Sequence, residues 1–375
     1  MIMKRLMVCI LLLTGCVCMK LSADIFVVDS LRYRVVSKEK MKVSVSSTYT
    51  NELDTITESV VIPPSVTYND TTYTVTSVDR FGFWYCIKLS SIYLPETIDT
   101  IRSRAFAGLD KLEQVEIPSS VKVLEAGVFS GCFKLKHVKL PAKIDFIGGD
   151  CFKHCSELED SIVIRKGTEY GTGVYTYCRS IKHITIEPGV TKIPDEMFNN
   201  YNDMTYPLIP LQVEEIVIPE SVDTIGRAAF ALSKLKTLKL PSCKVMGKEA
   251  FAHNHWLETV TFGSKVEHVR PSAFNGSSSL KTIYCESIIP PKEGSYVKGA
   301  TLHVPKGCKE IYATTDNWAK YGENIVDDIE LSGIHNAQLK TQDSDAPTYD
   351  LQGRRVENPK QGEIYIQKGK KYINK

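Results

Sequence analysis

The stretch LEQVEIPSSVKVLEAGVFSGCFKL, residues 112–135, decides the fold, because its pattern returns along most of the 375-residue chain. Its first part, Leu112-Glu-Gln-Val115-Glu-Ile117, alternates as a short strand does, and Pro118 ends the strand because proline lacks a backbone donor. Further apolar residues lead to the aromatic Phe129, and a cysteine follows three positions later. We call this aromatic residue the anchor of the repeat.

The anchor recurs nine times, and the first six anchors are each 23 residues apart. The later gaps are 32, 21 and 23, so one repeat carries an insertion and one is shortened. One repeat alone cannot bury both of its apolar stretches, whereas stacked repeats form a continuous core. The sequence therefore predicts a right-handed, β-rich solenoid of about nine 23-residue repeats with a parallel sheet. The anchors are Phe83, Phe106, Phe129, Phe152, Tyr175, Phe198, Phe230, Phe251 and Phe274.

The frame Ile-Pro-x-x-Val-x-x-Ile-x-x-x-Ala-Phe-x-x-Cys-x-x-Leu resembles the leucine-rich repeats of the BspA type. The resemblance implies repeats over residues 60–287, between an N-terminal β cap at 24–59 and a C-terminal cap at 288–331. A linker at 332–348 then leads to a short C-terminal β module at 349–375. The resemblance also implies a surface protein associated with adhesion and with host or cell contact.

Residues 1–23 have the form of a signal peptide, because a basic start precedes an apolar run that is too short to span a bilayer. Two cleavage sites compete. Leu13-Thr14-Gly15-Cys16 resembles a bacterial lipobox whose Cys16 would be lipidated, and a conventional cut would follow Ala23. That cut would place Leu21 where small side chains are preferred, so we favour Cys16. We therefore expect an exported protein at the cell surface or outer membrane, lipid-anchored or otherwise secreted.

The charges are nearly balanced, with 46 basic and 44 acidic residues, so no global field favours nucleic acid. One position in each repeat, directly after the first apolar residue of the strand, alternates in sign. In-register neighbours of opposite charge attract each other weakly. We interpret this charge column as a self-neutralised array that fixes the repeat register, with a bipolar ligand track as the alternative. Its members are Glu113, Lys136, Glu159, Lys182, Glu214, Lys236, Glu258 and Lys281.

Four cysteines stand three residues after an anchor, so they stack in one column with parallel Cβ vectors. A disulfide needs converging vectors, and we therefore predict buried thiols that fill the turn. A second arrangement stays open, since Cys285 and Cys308 flank the closing cap and a disulfide there depends on a distance that the sequence does not give. The four stacked cysteines are Cys86, Cys132, Cys155 and Cys178.

No metal site or catalytic motif is complete in the sequence. Cys151 and Cys155 lack a second Cys or His pair, and the pair His253 and His255 lacks an evident carboxylate partner. A Gly-x-Ser-x-Gly elbow, a phosphate loop and a His-Glu-x-x-His helix are all missing. We therefore expect neither an enzyme nor a cofactor.

The candidate binding site is the insertion at residues 199–211, where nine extra residues leave the array as a loop. Tyr201, Tyr206, Pro207 and Pro210 are the predicted contacts, because tyrosine and proline offer amphipathic area at low entropic cost. The alternative is that the aliphatic residues at 208, 209 and 211 fold the loop against the flank of the array.

The sequence thus predicts a monomeric, exported, adhesin-like module that contacts a protein or a glycan at the cell surface. The contact would lie on the repeat surface or on the insertion, and the membrane would be met only through a lipid anchor. A passive structural or assembly component of the envelope, without a specific ligand, is the alternative. Exposed aromatic residues on the insertion would favour the first hypothesis, and buried ones the second.

Overall fold

A computed structural model describes residues 24–47, 58–201, 208–331, 348–349, 355–357, 364–367 and 370–373. The predicted signal peptide with Cys16, and Tyr206 and Pro207 of the insertion, lie outside these residues. Two helical segments are described, α1 at Lys309–Ala313 and a 3-10 helix at Asp316–Asn324. The strands are, in chain order, β1 Ile25–Val28, β2 Leu31–Ser37, β3 Lys42–Ser47, β4 Ser59–Val61, β5 Ser65–Tyr68, β6 Thr71–Val78, β7 Ser91–Tyr93, β8 Thr100–Ile101, β9 Gln114–Glu116, β10 Val123–Leu124, β11 His137–Lys139, β12 Phe146–Ile147, β13 Ile162–Ile164, β14 Glu169–Tyr170, β15 Ile184–Ile186, β16 Lys192–Ile193, β17 Thr224–Ile225, β18 Thr237–Leu240, β19 Val245–Met246, β20 Thr259–Phe262, β21 His268–Val269, β22 Thr282–Cys285, β23 Lys292–Glu293, β24 Thr301–Pro305, β25 Ile325–Ile329, β26 Thr348–Tyr349, β27 Arg355–Val356, β28 Ile364–Gln367 and β29 Lys370–Ile373.

The described repeats form a β-solenoid with parallel sheets, as the sequence predicts. The parallel strands run in two columns, since the second apolar stretch of each repeat is itself a strand of about two residues. The first column contains β4–β7, β9–β11, β13–β15 and β18–β20–β22–β24–β25. The second contains β6–β8–β10–β12–β14 and β16–β17–β19–β21–β23. Because β22 and β24 continue the stack beyond the last anchor, the solenoid has about eleven turns.

The nine anchors form one continuous column through the core, with neighbouring ring centroids 5.3–6.2 Å apart. All nine rings are buried. Phe198 and Phe230 are separated by the insertion, yet their centroids lie 5.4 Å apart, as in the regular repeats. The column of anchor rings therefore continues without a break across the insertion.

The backbone turns sharply on both sides of each anchor. Two residues before the anchor and two after it, most repeats adopt left-handed backbone, with φ of 56° at Phe81 and 55° at Tyr85. An L side chain costs roughly 1–2 kcal/mol in this conformation. Some repeats avoid that cost with glycine, as at Gly108 (φ 72°) and Gly131 (φ 78°), and others keep a side chain.

In several repeats the residue three positions after the anchor places a hydrogen-bonding side chain inside the fold. The thiols of Cys132, Cys155 and Cys178 are buried, free and hydrogen-bonded to the carbonyl of the preceding anchor, at 3.0–3.2 Å. Burial raises the pKa of Cys132 to about 12. Asn254 and Ser277 take the same position in later repeats and bond to the same kind of carbonyl. The prediction of buried thiols is confirmed for Cys132, Cys155 and Cys178, whereas Cys86, in the first repeat, is a free thiol that is only half-buried.

Cys285 and Cys308 are free thiols as well, which settles in this structure the disulfide that the sequence left open. Cys285 instead accepts a hydrogen bond from the Tyr312 hydroxyl at 3.2 Å. Tyr312 lies on α1 and is fully buried, and its hydroxyl also donates to Ser287 O at 2.7 Å. This end of the array is thus held by aromatic packing and hydrogen bonds.

The charge column is in register along the sheet. Lys136 N–H donates to Glu113 O at 2.8 Å, and Lys281 N–H donates to Glu258 O at 3.1 Å. The side chains pair where neighbours approach, with Nζ–Oε2 distances of 3.2 Å for Lys136 and Glu113 and 2.7 Å for Lys236 and Glu214. Neighbouring opposite charges are what the self-neutralised interpretation requires.

The two ends of the chain differ from the repeats. At the start, β1, β2 and β3 pair antiparallel, and β3 joins β6 in parallel. Near the C-terminus, β27–β26–β28–β29 form an antiparallel four-stranded sheet. Within the described residues no helix is long and apolar enough to cross a membrane.

Candidate binding edge

The turns on the two sides of the anchors form one edge of the solenoid, and aromatic side chains recur along it. We call this row the aromatic edge. It is made because the left-handed turn places the residues beside the buried anchor toward solvent. Its members are Phe81, Trp84, Tyr85, Phe133, His154, Tyr177, Tyr201, His253, His255 and Trp256.

At the insertion, Tyr201 stacks on His253 with ring centroids 3.7 Å apart and planes 7° apart. His255 meets His253 edge-on at 6.1 Å, and Trp256 continues the contact at 6.2 Å. Trp256 is 41% exposed, and Lys234 Nζ lies 6.0 Å from its ring centroid. Tyr201, at the start of the insertion, is thereby connected through ring contacts to the exposed Trp256, two turns further along the array.

Desolvation by burial, followed by repulsion from His255, lowers the pKa of His253 below its ordinary 6.5. The lowered pKa favours the neutral form of His253, which stacks on Tyr201 as an aromatic ring. Its ring also covers Gly276, where a Cβ would come within 2.5 Å of His253 Nδ1. The His253 ring is thus packed against the backbone of Gly276 as well as against the Tyr201 ring.

The other described residues of the insertion divide between surface and core. Leu211 is buried and its N–H donates to Leu232 O at 2.9 Å, so this end of the insertion is fixed to the array. Pro210 is half-buried, and its carbonyl accepts a hydrogen bond from Gln212 Nε2 at 2.7 Å. Ile209 is exposed and Tyr201 is half-buried. Of the four predicted contacts, the structure joins Tyr201 to partners that the sequence did not suggest.

Two further clusters lie on the same edge. In the middle, Tyr177 stacks on His154 at 4.6 Å, and Phe133, 51% exposed, lies 6.2 Å from His154. At the N-terminal end, Trp84 contacts both Phe81 and Tyr85, at 5.4 and 4.8 Å. The sequence carried a signal for both, because Tyr85, His154 and Tyr177 stand two residues after their anchors, where other repeats have Gly108, Gly131 or Gly276.

A small cavity of about 70 Å³ lies where the first column is interrupted between β11 and β13. Asp160 lines it, and its carboxylate accepts a hydrogen bond from Val138 N–H at 2.6 Å and faces His137 Nδ1 at 2.9 Å. Asp160 thus completes the broken strand pairing, and the volume suits water rather than a substrate. In the described part of the chain no group of three His, Cys, Asp or Glu is placed to hold a metal ion.

Two columns of short parallel strands, stacked around a continuous row of anchors, define a leucine-rich-repeat solenoid, a class of scaffold that is typically non-enzymatic. The model of the BspA type leucine-rich repeat region matches residues 76–205 and 210–311, in six copies. The chain belongs to this family.

The chain is also similar to proteins of known structure. The chain is similar to a leucine-rich repeat protein from Bacteroides ovatus ATCC 8483, with 28% identity, 74% of this chain and 76% of that chain covered, and a TM-score of 0.56. A leucine-rich cell surface protein from Faecalibacterium prausnitzii A2-165 is 20% identical over 76% of this chain and 85% of its own, with a TM-score of 0.40. The pneumococcal vaccine antigen PcpA is 17% identical over 82% and 99%, with a TM-score of 0.39. No curated protein matches the chain.

Proposed function

We propose that this protein is an exported cell-surface binding module that contacts a protein or a glycan through its aromatic edge, with the insertion at 199–211 as the main contact. The observation that carries the proposal is the stack of Tyr201 on His253, which joins the insertion to the exposed Trp256. Membership in the BspA-type family supports a binding role, since the fold offers a long, regular surface.

The composition of this edge is that of a contact surface. Tyrosine, tryptophan and arginine supply much of the energy of measured interfaces, because they combine large area with polar groups. Scattered single apolar residues on a surface need no explanation, whereas contiguous exposed clusters mark binding sites. Tyr201, His253, His255 and Trp256 form a contiguous cluster in which His255 and Trp256 are exposed and the other two rings are half-buried.

The test is an array of glycans and extracellular-matrix proteins, probed with the chain without its predicted signal peptide. A variant lacking residues 202–210 removes nine residues and restores the 23-residue spacing between Phe198 and Phe230. A second variant, Trp256→Ala, keeps the insertion. The matched control is Val217→Ala, whose side chain is 81% exposed outside the edge.

We expect saturable binding that the deletion abolishes, that Trp256→Ala weakens and that Val217→Ala leaves unchanged. Loss of binding in the Val217 variant would show that the aromatic edge is not the contact. No saturable binding at all would favour the passive structural role. Export is tested separately, since lipidation at Cys16 predicts membrane association that Cys16→Ala removes.

A further inference from the structure

We propose that the N-terminal cluster of the aromatic edge, formed by Phe81, Trp84 and Tyr85 with Arg80 and Arg104, is a binding site for a carboxylated saccharide. The inference rests on the proposed binding function and gives it a second site with a defined ligand chemistry. This site lies seven turns from the turn of Trp256, so the two sites can be tested independently.

The aromatic part of the site is exposed and held in place. Trp84 is 38% exposed and Tyr85 57% exposed, although both make ring contacts. The Tyr85 ring lies on Gly108, where a Cβ would come within 3.3 Å of the ring. A ring backed in this way keeps its orientation and presents its outer face and edge to solvent.

Two guanidinium groups flank Phe81. The Cζ atoms of Arg80 and Arg104 lie 5.0 and 6.0 Å from its ring centroid. The stem of Arg104 crosses Gly127, where a Cβ would come within 3.1 Å of Arg104 Cγ. Glycine at this position therefore gives Arg104 the room to reach the preceding turn, and the cluster is assembled from two neighbouring repeats.

Neither guanidinium has a carboxylate partner within the described residues, whereas several other arginines of the chain do. Asp79 pairs with Arg34, Glu196 with Arg227 and Glu293 with Arg270. Arg80 and Arg104 therefore bring two positive charges to the cluster, and these favour an anion. The five donors of each guanidinium suit the two oxygens of a carboxylate.

The size of the site favours a sugar over a protein. A stable protein interface buries about 800 Å² on each partner, whereas this cluster occupies two turns of the array. A pyranose ring presents C–H groups that fit the negative face of an aromatic ring, and a uronic or sialic acid adds the carboxylate. One turn beyond Gly108, a Cβ on Gly131 would meet only the backbone of Gly108, at 3.8 Å, so no side chain of the described residues packs on Gly131 in the direction of a longer saccharide.

The experiment uses the chain without its predicted signal peptide in a Trp256→Phe background. Of the three tryptophans, Trp318 is buried, so Trp84 is then the exposed reporter. Tetragalacturonic acid, a hyaluronan tetrasaccharide and sialyllactose are titrated, and protection of Trp84 from acrylamide quenching gives the dissociation constant. Methyl-esterified tetragalacturonate, lactose and hexaglutamate are the comparison ligands.

We expect at least one acidic saccharide to bind saturably, with its uncharged counterpart at least tenfold weaker, because a charge-assisted hydrogen bond contributes about this factor or more. Arg80→Gln with Arg104→Gln should weaken binding by tenfold or more. The matched control is Arg227→Gln with Arg270→Gln, which removes the same charge from two paired arginines and should leave the dissociation constant unchanged. Circular dichroism confirms that each variant is folded.

Three results would overturn the proposal. The first is that no acidic saccharide binds saturably. The second is that Arg227→Gln with Arg270→Gln lowers the affinity as much as Arg80→Gln with Arg104→Gln does. The third is that hexaglutamate binds as tightly as the best saccharide, which would assign the site to acidic polypeptides. The variant lacking residues 202–210 should keep its saccharide affinity. Saccharide binding can therefore be absent while insertion-dependent binding on the array is present. Insertion-dependent binding can also be absent while the saccharide binds, so each proposal can be refuted without the other.

Discussion

Replacing Asn254 by alanine should destabilise the repeats around it far more than the loss of a thiol from the same column. Asn254 is fully buried three residues after its anchor. Its Nδ2 donates to Phe230 O at 3.1 Å and to Phe251 O at 3.0 Å. Its Oδ1 accepts hydrogen bonds from the N–H and the hydroxyl of Ser233. One side chain therefore links two turns.

The expected loss of stability depends on which hydrogen bonds each backbone group keeps when Asn254 is replaced. Phe251 O keeps the Ser277 hydroxyl as a donor at 3.0 Å. Phe230 O loses the Asn254 Nδ2 donor and the Ser233 N–H loses the Asn254 Oδ1 acceptor, and both groups stay buried. Each unsatisfied backbone group costs about 1–3 kcal/mol, and the small cavity adds to that, so we expect a loss of about 4 kcal/mol.

Cys155→Ala is the matched control. The carbonyl that Cys155 contacts, Phe129 O, also accepts the Cys132 backbone N–H at 3.2 Å, so no backbone group is orphaned. Loss of a weak S–H donor and one atom of packing should cost about 1 kcal/mol.

Hydrogen exchange of the Ser233 amide is the assay, because a repeat array opens locally and a single unfolding free energy is poorly defined for it. A loss of about 4 kcal/mol corresponds to roughly thousandfold faster exchange at Ser233. Urea midpoints of both variants give a second measure. Less than tenfold acceleration in Asn254→Ala, or equal effects of the two substitutions, would refute this account of the column.

Three further predictions concern the turns, the thiols and the charge column. Glu249→Gly should stabilise the protein by about 0.5–1 kcal/mol because it relieves a left-handed side chain at φ 59°, whereas Gly173→Ala (φ 70°) should destabilise it by about 1–2 kcal/mol. Calorimetric melting temperatures that shift in the same direction would contradict this. The thiol of Cys132 should resist Ellman's reagent at pH 8 until the chain is unfolded, since its pKa is raised from 9.0 to about 12. The pKa of Cys132 is higher in the folded chain than in the unfolded chain. The contribution of the protonated thiol to stability is therefore complete below pH 9 and is lost as the pH rises towards 12. A melting temperature that is constant from pH 8 to 11 would argue against this account. Lys136→Glu places a third carboxylate between Glu113 and Glu159 and should lower the melting temperature at low salt, with the difference narrowing in 1 M NaCl. If 1 M NaCl leaves the difference in melting temperature unchanged, charge repulsion is not the cause of that difference.

Much of the fold could be predicted because a repeat states its pattern many times. The 23-residue spacing alone places Phe106, Phe129 and Phe152 in one column, and the structure stacks them at 5.6 Å. The second column of strands was harder to foresee, since its strands are only about two residues long and are defined by their pairing with neighbouring turns.

The candidate sites were less predictable for a physical reason. Tyr201 and His253 are 52 positions apart in the sequence, and only the stacking of turns brings their rings to 3.7 Å. The exposed rings beside the anchors were visible as residues, but the alternation pattern of strands does not say which side of a left-handed turn faces solvent.

The sequence by itself determined the period, the anchors, the buried thiols and the sign of each charge in the column, because each of these properties repeats at a fixed spacing. Only the tertiary structure decided which side chains meet across turns, such as Arg104 with Phe81 or Asn254 with Ser233. Those contacts depend on where an insertion leaves the stack and on which turns have glycine to make room, and neither property is periodic.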